Sequence, residues 1–289
     1  MCHNTSQHRL IRVRPTMADM KSLAAYSRGG LADRIALALF SDQIASASKR
    51  RLEYLWPAEQ GCYCEFERLF CPCEFSVLNP PAYKDAVRPI RGTFSETVRR
   101  IRTSQAELVH LDGFYGHDFT RFDEVFKPRE AVWNQFRTFR GDHFRGQSIG
   151  VHIRRTDKLR FTIPAVERYF FAIDNQLTIL PESSLFVASD DPSVELLAKR
   201  RYGNRLLHYP VRSHSRHRRD GIIDALTVLY LLRSCDFLVT GRFSGFSLLA
   251  AWDRPCCIIQ VPGTPISRDW EGRPIYRPCS SHERWHPDL

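Results

Sequence analysis

A chain of 289 residues, 43% hydrophobic and 26% charged, has the composition of a folded globular protein and length for one large domain or two ordinary ones. Its formal charge of +10 favours anionic partners, whether a phosphorylated small molecule, nucleic acid or a membrane surface, and by itself selects none of them. No apolar stretch reaches the ~20 residues of a membrane span, and Met1 to Arg14 are basic without an apolar run behind them, so a cytoplasmic location is expected, with peripheral contact at an inner membrane left open.

In chain order, Leu23 to Tyr26 reads as a strand ending in Arg28-Gly29-Gly30, followed by a helix from Leu31 to about Ala47 and a strand near Leu52 to Trp56. The stretch Cys62 to Ile101, rich in Pro, Cys and Phe, reads as irregular. Glu107 to Leu111 is a further strand, and a helix around Ala131 to Phe139 bridges to the second half. There the pattern sharpens. Ser148 to Ile153 is a buried strand, and Pro164 stands at the first position of a helix carrying Val166, Phe170, Ile173 and Leu177. Leu185 to Ala188 is the next strand. Asp191 caps a helix that opens on Pro192 and ends at Gly203. Leu206-Leu207, a helix over Ile222 to Ser234, Phe237 to Val239, a helix started by Ser244, and Cys257 to Ile259 complete the alternation. Repeated β-α-β units give open parallel sheets, so the expected fold is α/β: two Rossmann-like halves, 1–145 and 146–289, facing across a cleft.

Nine cysteines include the C-x-C pairs Cys62/Cys64 and Cys71/Cys73. Their spacing is shorter than the C-x(2–4)-C of structural zinc, so reduced, buried or half-exposed thiols are expected and no metal.

In parallel α/β sheets ligands sit at the carboxyl ends of strands, which directs attention to four loops. His152-Ile153-Arg154-Arg155-Thr156-Asp157-Lys158 runs off a buried strand, and two adjacent guanidinium forks there suit a phosphate. At Ser189-Asp190-Asp191-Pro192 one carboxylate caps the helix, most simply Asp191, leaving Asp190 for donors such as guanine N1 and N2; the two roles are interchangeable by one position. The segment Gly241 to Ser247, with Ser244, Gly245 and Phe246 at the start of a helix, offers backbone N–H groups to an anion. Gly29 and Gly30 either make a tight turn or line a sugar site across the cleft. The basic run His208 to Arg219 is by default a solvated loop; it lacks the interleaved aromatics of single-strand nucleic-acid binders, and no nucleic-acid motif is present.

Taken together, HIRRTDK, ASDDPSVELLAK and DALTVLYLLRSCDFLVTGRFSGFSLLA resemble, in order and form, the three motifs of the α-1,6/α-1,2/protein O-fucosyltransferase superfamily, with the α-1,6 core and nodulation branch the nearest match. The likeness spans about Ile149 to Ala251, with a looser match at GGLADR. It implies a GT-B fold and GDP-fucose as donor substrate, with no cofactor. It further implies that Arg154 holds the β-phosphate and stabilises departing GDP, supported by Arg155, that His152 and Asp190 address guanine, and that the Ser244 loop holds phosphates. The implied acceptor is a glycan or lipid-linked oligosaccharide. One departure stands out. Where core fucosyltransferases carry a glutamate shortly after the arginines, this chain has Phe161-Thr162, leaving Asp157, Glu167, Asp33 and Asp112 as substitutes for the base. A non-catalytic GDP-sugar-binding protein, or an enzyme using another GDP-sugar, therefore stays open.

Overall fold

A computed structural model of the chain describes residues 21–59, 61–79, 94–104, 106, 108–112, 119–155, 164–241, 244–252 and 257–261. The chain runs β1 (Ser22–Tyr26), α1 (Leu31–Ser48), β2 (Arg51–Leu55), α2 (Phe66–Leu69), β3 (Ser76–Leu78), α3 (Phe94–Thr103) and β4 (Leu108–Asp112). Two linking helices, α4 (Phe122–Val125) and α5 (Glu130–His143), precede β5 (Ser148–Ile153), α6 (Val166–Ile179), β6 (Ser184–Ser189), α7 (Pro192–Tyr202) and β7 (Leu206–Leu207). The described chain closes with α8 (Arg219–Arg233), β8 (Phe237–Gly241), α9 (Gly245–Ala251) and β9 (Cys257–Val261).

All pairings within the described strands are parallel. They form two sheets, ordered β3-β2-β1-β4 and β7-β6-β5-β8-β9. A parallel strand covered on both faces needs apolar residues on both, and all six residues of Ser148-Ile-Gly-Val-His-Ile153 are buried. Gly150 serves packing there. A Cβ on it would lie 2.9 Å from Cys235 Sγ, so only a hydrogen lets the end of α8 close on β5. α1 is enclosed rather than amphipathic, with Ile35, Ala36, Leu37, Ala38 and Leu39 all buried.

The stretch read as irregular is structured where its residues are described. It contains α2, β3 and α3. α3 turns Thr97 and Ile101 inward, but its charged residues mask that apolar stripe. The buried Arg50 closes its end by donating to Ile101 O (3.3 Å), Ser104 O (3.0 Å), Ala106 O (2.9 Å) and Ser22 O (3.1 Å). Pro164 is likewise displaced from its expected place: α6 begins at Val166 with Ala165 at the N-cap, so the proline precedes the helix. Asp191, Gly203 and Ser244 sit at the caps that their residue types predict. No described helix is long and apolar enough to cross a membrane.

Candidate functional site

In the second sheet β6, β5 and β8 are neighbours, so the loops leaving their carboxyl ends are neighbours too. Two hydrogen bonds fasten the first pair. Ser189 Oγ donates to Ile153 O at 2.7 Å, and the Arg155 backbone N–H donates to Asp190 Oδ1 at 2.7 Å. The bond to Asp190 fixes the backbone of the double arginine, and both Arg154 and Arg155 are half-buried there. Asp191 caps α7, accepting from Ser193 N at 2.9 Å and Ser193 Oγ at 2.7 Å. Those Ser193 hydrogen bonds hold its carboxyl below the ordinary range.

The third loop is fastened through a histidine. His152 is buried, its Nδ1 lies 2.7 Å from Ser247 Oγ, and its ring centroid is 4.9 Å from that of Phe246. Ser244 Oγ in turn accepts from Ser247 N at 3.4 Å, so Ser247 links the cap of α9 to β5. Ser247 did not stand out as a site residue in the sequence. Its signal was its place three residues beyond the capping serine, where a hydroxyl reaches back along the helix. Gly241, the last residue of β8, lies against Tyr169 of α6, a 1% exposed side chain whose hydroxyl burial pushes up to about 12.

The first sheet presents the glycine loop. Gly29 N donates to Ser27 Oγ at 3.1 Å, and Gly30 N donates to Asp33 Oδ2 at 3.2 Å as the cap of α1. A Cβ on Gly29 would fall 2.4 Å from Asp33 Cβ, so the loop requires glycine at that position. The capping bond gives Asp33 a structural task. Glu167 is exposed in the first turn of α6. Asp157, with Phe161 and Thr162, lies outside the described residues, and Asp112 is described only as the backbone end of β4.

The sequence also did not single out Glu59 or Glu195. Glu59, in the turn after β2, receives a hydrogen bond from Tyr26, the last residue of β1. Glu195 of α7 lies 3.4 Å from His214 Nε2 and 3.7 Å from His208 Nε2, and burial pushes its carboxyl up. The basic run 208–219 is therefore anchored rather than simply solvated. It starts beyond β7, touches Glu195, and reaches the first half. There Arg216 O accepts from Tyr63 N at 3.0 Å, and Arg219 Nε donates to Glu65 Oε2 at 3.0 Å.

The cysteine pairs differ in depth. Cys62 and Cys64 are buried and Cys71 and Cys73 half-buried, and no cluster of three metal-ligating side chains occurs among the described residues.

No protein-family profile matches the sequence, and no curated protein matches it. The fold does match solved structures. A structure of NodZ α-1,6-fucosyltransferase soaked with GDP-fucose is 19% identical, covers 88% of this chain and 97% of its own, and superposes with a TM-score of 0.61. The fucosyltransferase NodZ from Bradyrhizobium is 19% identical over 83% of this chain and 96% of its own, with a TM-score of 0.60. A mutant of Arabidopsis thaliana FUT1 in complex with GDP is 15% identical over 86% of this chain and 72% of its own, with a TM-score of 0.59. The α/β architecture with parallel sheets is thus one that fucosyltransferases use.

Proposed function

We propose that this chain is an inverting, metal-independent glycosyltransferase that moves fucose from GDP-fucose to a glycan hydroxyl. One observation carries the reading. Three segments far apart in sequence, 152–155, 189–192 and the start of α9, meet at adjacent strand ends and are tied together by the Arg155–Asp190 and His152–Ser247 bonds. The structural neighbours include fucosyltransferases with GDP-fucose or GDP bound, which supports a GDP-sugar as the ligand of those loops.

In this reading residues 146–289 bind the donor and residues 1–145 receive the acceptor, in a GT-B arrangement with a cleft between. The contacts from the 208–219 loop to Tyr63 and Glu65 support it, because they join the carboxyl-end side of the second sheet to the segment that follows β2. Arg154 and Arg155 clamp the diphosphate and take up the charge that develops on departing GDP, the task a divalent cation performs elsewhere. Gly245 and Phe246, behind the Ser244 cap, face the same anion in this reading. The bond from Ser247 sets the imidazole plane of His152 for the nucleotide, and Asp190, with one carboxylate oxygen on the Arg155 backbone, addresses the guanine in this reading. By the motif resemblance Asp157 joins the two arginines in catalysis. Gly29 and Gly30 line the sugar side. The acceptor is a polysaccharide or lipid-linked oligosaccharide, used at the cytoplasmic face of a membrane that the basic surface meets only peripherally.

The test is calorimetry with GDP and GDP-fucose, EDTA present, on the wild type and Arg154→Ala. Guanine-selective binding by the wild type that weakens at least ~100-fold in the variant is expected, in line with loss of a charge-assisted clamp. Wild-type protein that binds neither ligand, or binds them only with added metal, refutes the assignment.

A further inference from the structure

Transfer to a hydroxyl releases a proton, and among the described residues the strand-end carboxylates of the second sheet, Asp190 and Asp191, already hold hydrogen bonds. Asp191 is occupied by Ser193, and Asp190 holds the Arg155 N–H. The first sheet offers a different carboxylate at its carboxyl edge. Glu59 Oε1 accepts from the Tyr26 hydroxyl and lies 3.7 Å from Arg34 Nη2. Arg34 is fully buried, with Nη1 on Pro57 O at 2.6 Å and Nε on Gly29 O at 3.2 Å, while Nη2 has no hydrogen-bond partner among the described residues. The buried Arg34 guanidinium therefore lies beside the carboxylate without a direct hydrogen bond to it.

Both contacts fall on Oε1, so Oε2 takes no hydrogen bond from the described residues, and the side chain is 24% exposed. Tyr26 is a lasting donor, because burial and the Glu59 contact push its hydroxyl up to about 12. The turn is also placed against the sugar side. A Cβ on Gly61 would meet Arg28 O at 3.0 Å and Gly29 O at 3.3 Å, so the residues after Glu59 lie on the glycine loop. Four residues on from Glu59, Tyr63 N bonds to Arg216 O of the second half. The carboxylate is therefore at the edge of the first sheet whose following segment reaches the 208–219 loop of the second half.

Resting on the transfer reading above, we infer that Glu59 is the general base of the reaction, with Tyr26 and Arg34 as its positioning residues. As the acceptor oxygen bonds to C1 of fucose, its proton passes to Glu59 Oε2. The bond from C1 to the β-phosphate oxygen breaks, and its electron pair leaves with GDP toward Arg154. No redox partner or further reactant enters the balance.

Glu59→Gln preserves the size of the side chain and an oxygen that accepts from Tyr26. It is expected to lower kcat for transfer about 100-fold or more while leaving the Kd for GDP-fucose within about twofold, and to remove the acidic limb of the kcat/KM pH profile. Tyr26→Phe, which removes the hydroxyl that holds Oε1, should lower kcat about tenfold while leaving the Kd for GDP-fucose within about twofold. Should the Gln variant not fold, Glu59→Asp answers the same question, since a retracted carboxylate should keep the acidic limb at a reduced kcat. The inference is overturned if the wild type transfers fucose and Glu59→Gln or Glu59→Asp does so at the wild-type rate. It is equally overturned if donor affinity falls in step with rate, which would make Glu59 a structural brace. Absence of GDP-fucose binding in the wild type is a separate result that sinks the transfer reading itself and this inference with it.

Discussion

Replacing Gly241 by alanine tests whether the strand-end loop into α9 rests on α6. The added Cβ would lie 2.2 Å from the Tyr169 hydroxyl oxygen, 3.4 Å from its Cζ and 3.9 Å from Pro164 Cδ. Ordinary contact begins at 3.4 Å, so the hydroxyl must withdraw by 3.4 − 2.2, or 1.2 Å. Tyr169 is 1% exposed in a cluster with Val166 and Ile173, which leaves it little room. Gly241 is not among the glycines with positive φ, so the backbone tolerates alanine and the whole effect is steric. Overpacking of this kind costs about 1–3 kcal/mol. Tyr169→Phe removes the clashing atom, and what remains is the 3.4 Å contact with Cζ. The Tyr169 hydroxyl makes no hydrogen bond among the described residues, so that change alone should cost under ~1 kcal/mol. Urea unfolding at constant m-value should show Gly241→Ala destabilised and the double variant restored to within ~1 kcal/mol of Tyr169→Phe. GDP affinity should follow the same order, since Gly241 begins the loop into α9. A double variant whose loss equals the sum of the two single losses would refute the packing argument.

Arg50→Met should destabilise the fold by about 3–5 kcal/mol in the same assay, because it strips four backbone carbonyls around β1, β4 and α3 of a buried donor; a loss under ~1 kcal/mol would mean water takes over that role. Cysteine alkylation should be ordered by depth. Burial pushes the Cys62 thiol up from 9.0 to about 11, so at pH 8 only about one molecule in a thousand carries the thiolate, against about one in ten at the ordinary value. Burial, with the neighbouring Cys62 and Glu65, pushes Cys64 up to about 12. Mass spectrometry after brief iodoacetamide treatment should find Cys71 modified well before Cys62 and Cys64, and equal labelling of all three would contradict the buried placement of the first pair.

The second sheet was legible because its strands are apolar on both faces and its helix ends carry side chains with one job each: Asp191 and Ser244 accept from the first turn, and Gly203 closes α7. The order of the motif loops along the sheet follows from those elements, since parallel strands place every loop of this kind on one edge. The sequence left α3 hidden, because the few apolar residues it buries, Ile101 among them, are interleaved with arginines, and its carboxyl end is closed by the distant Arg50. Pairings over long separations were hidden for a related reason. His152 meets Ser247 across 95 residues, and Glu59 meets Tyr26 across 33, with nothing in either local pattern to announce the partner. Local chemistry wrote the caps, whereas the site's fastenings are written only in three dimensions.

An unbroken path of aromatic rings crosses from one sheet's surroundings to the other's. Trp56 meets Phe66 at 5.4 Å, Phe70 meets Phe126 at 5.0 Å, Phe122 lies over Tyr230 of α8 at 6.2 Å, and Tyr230 meets Trp133 of α5 at 5.6 Å. The Tyr230 ring thus packs α8 against aromatic surface belonging to the chain before β5, so neither can be lost without wetting the other. The free energy of such a core is held jointly, so the two sheets melt as one cooperative unit and a lesion beneath the first is felt as instability at the second.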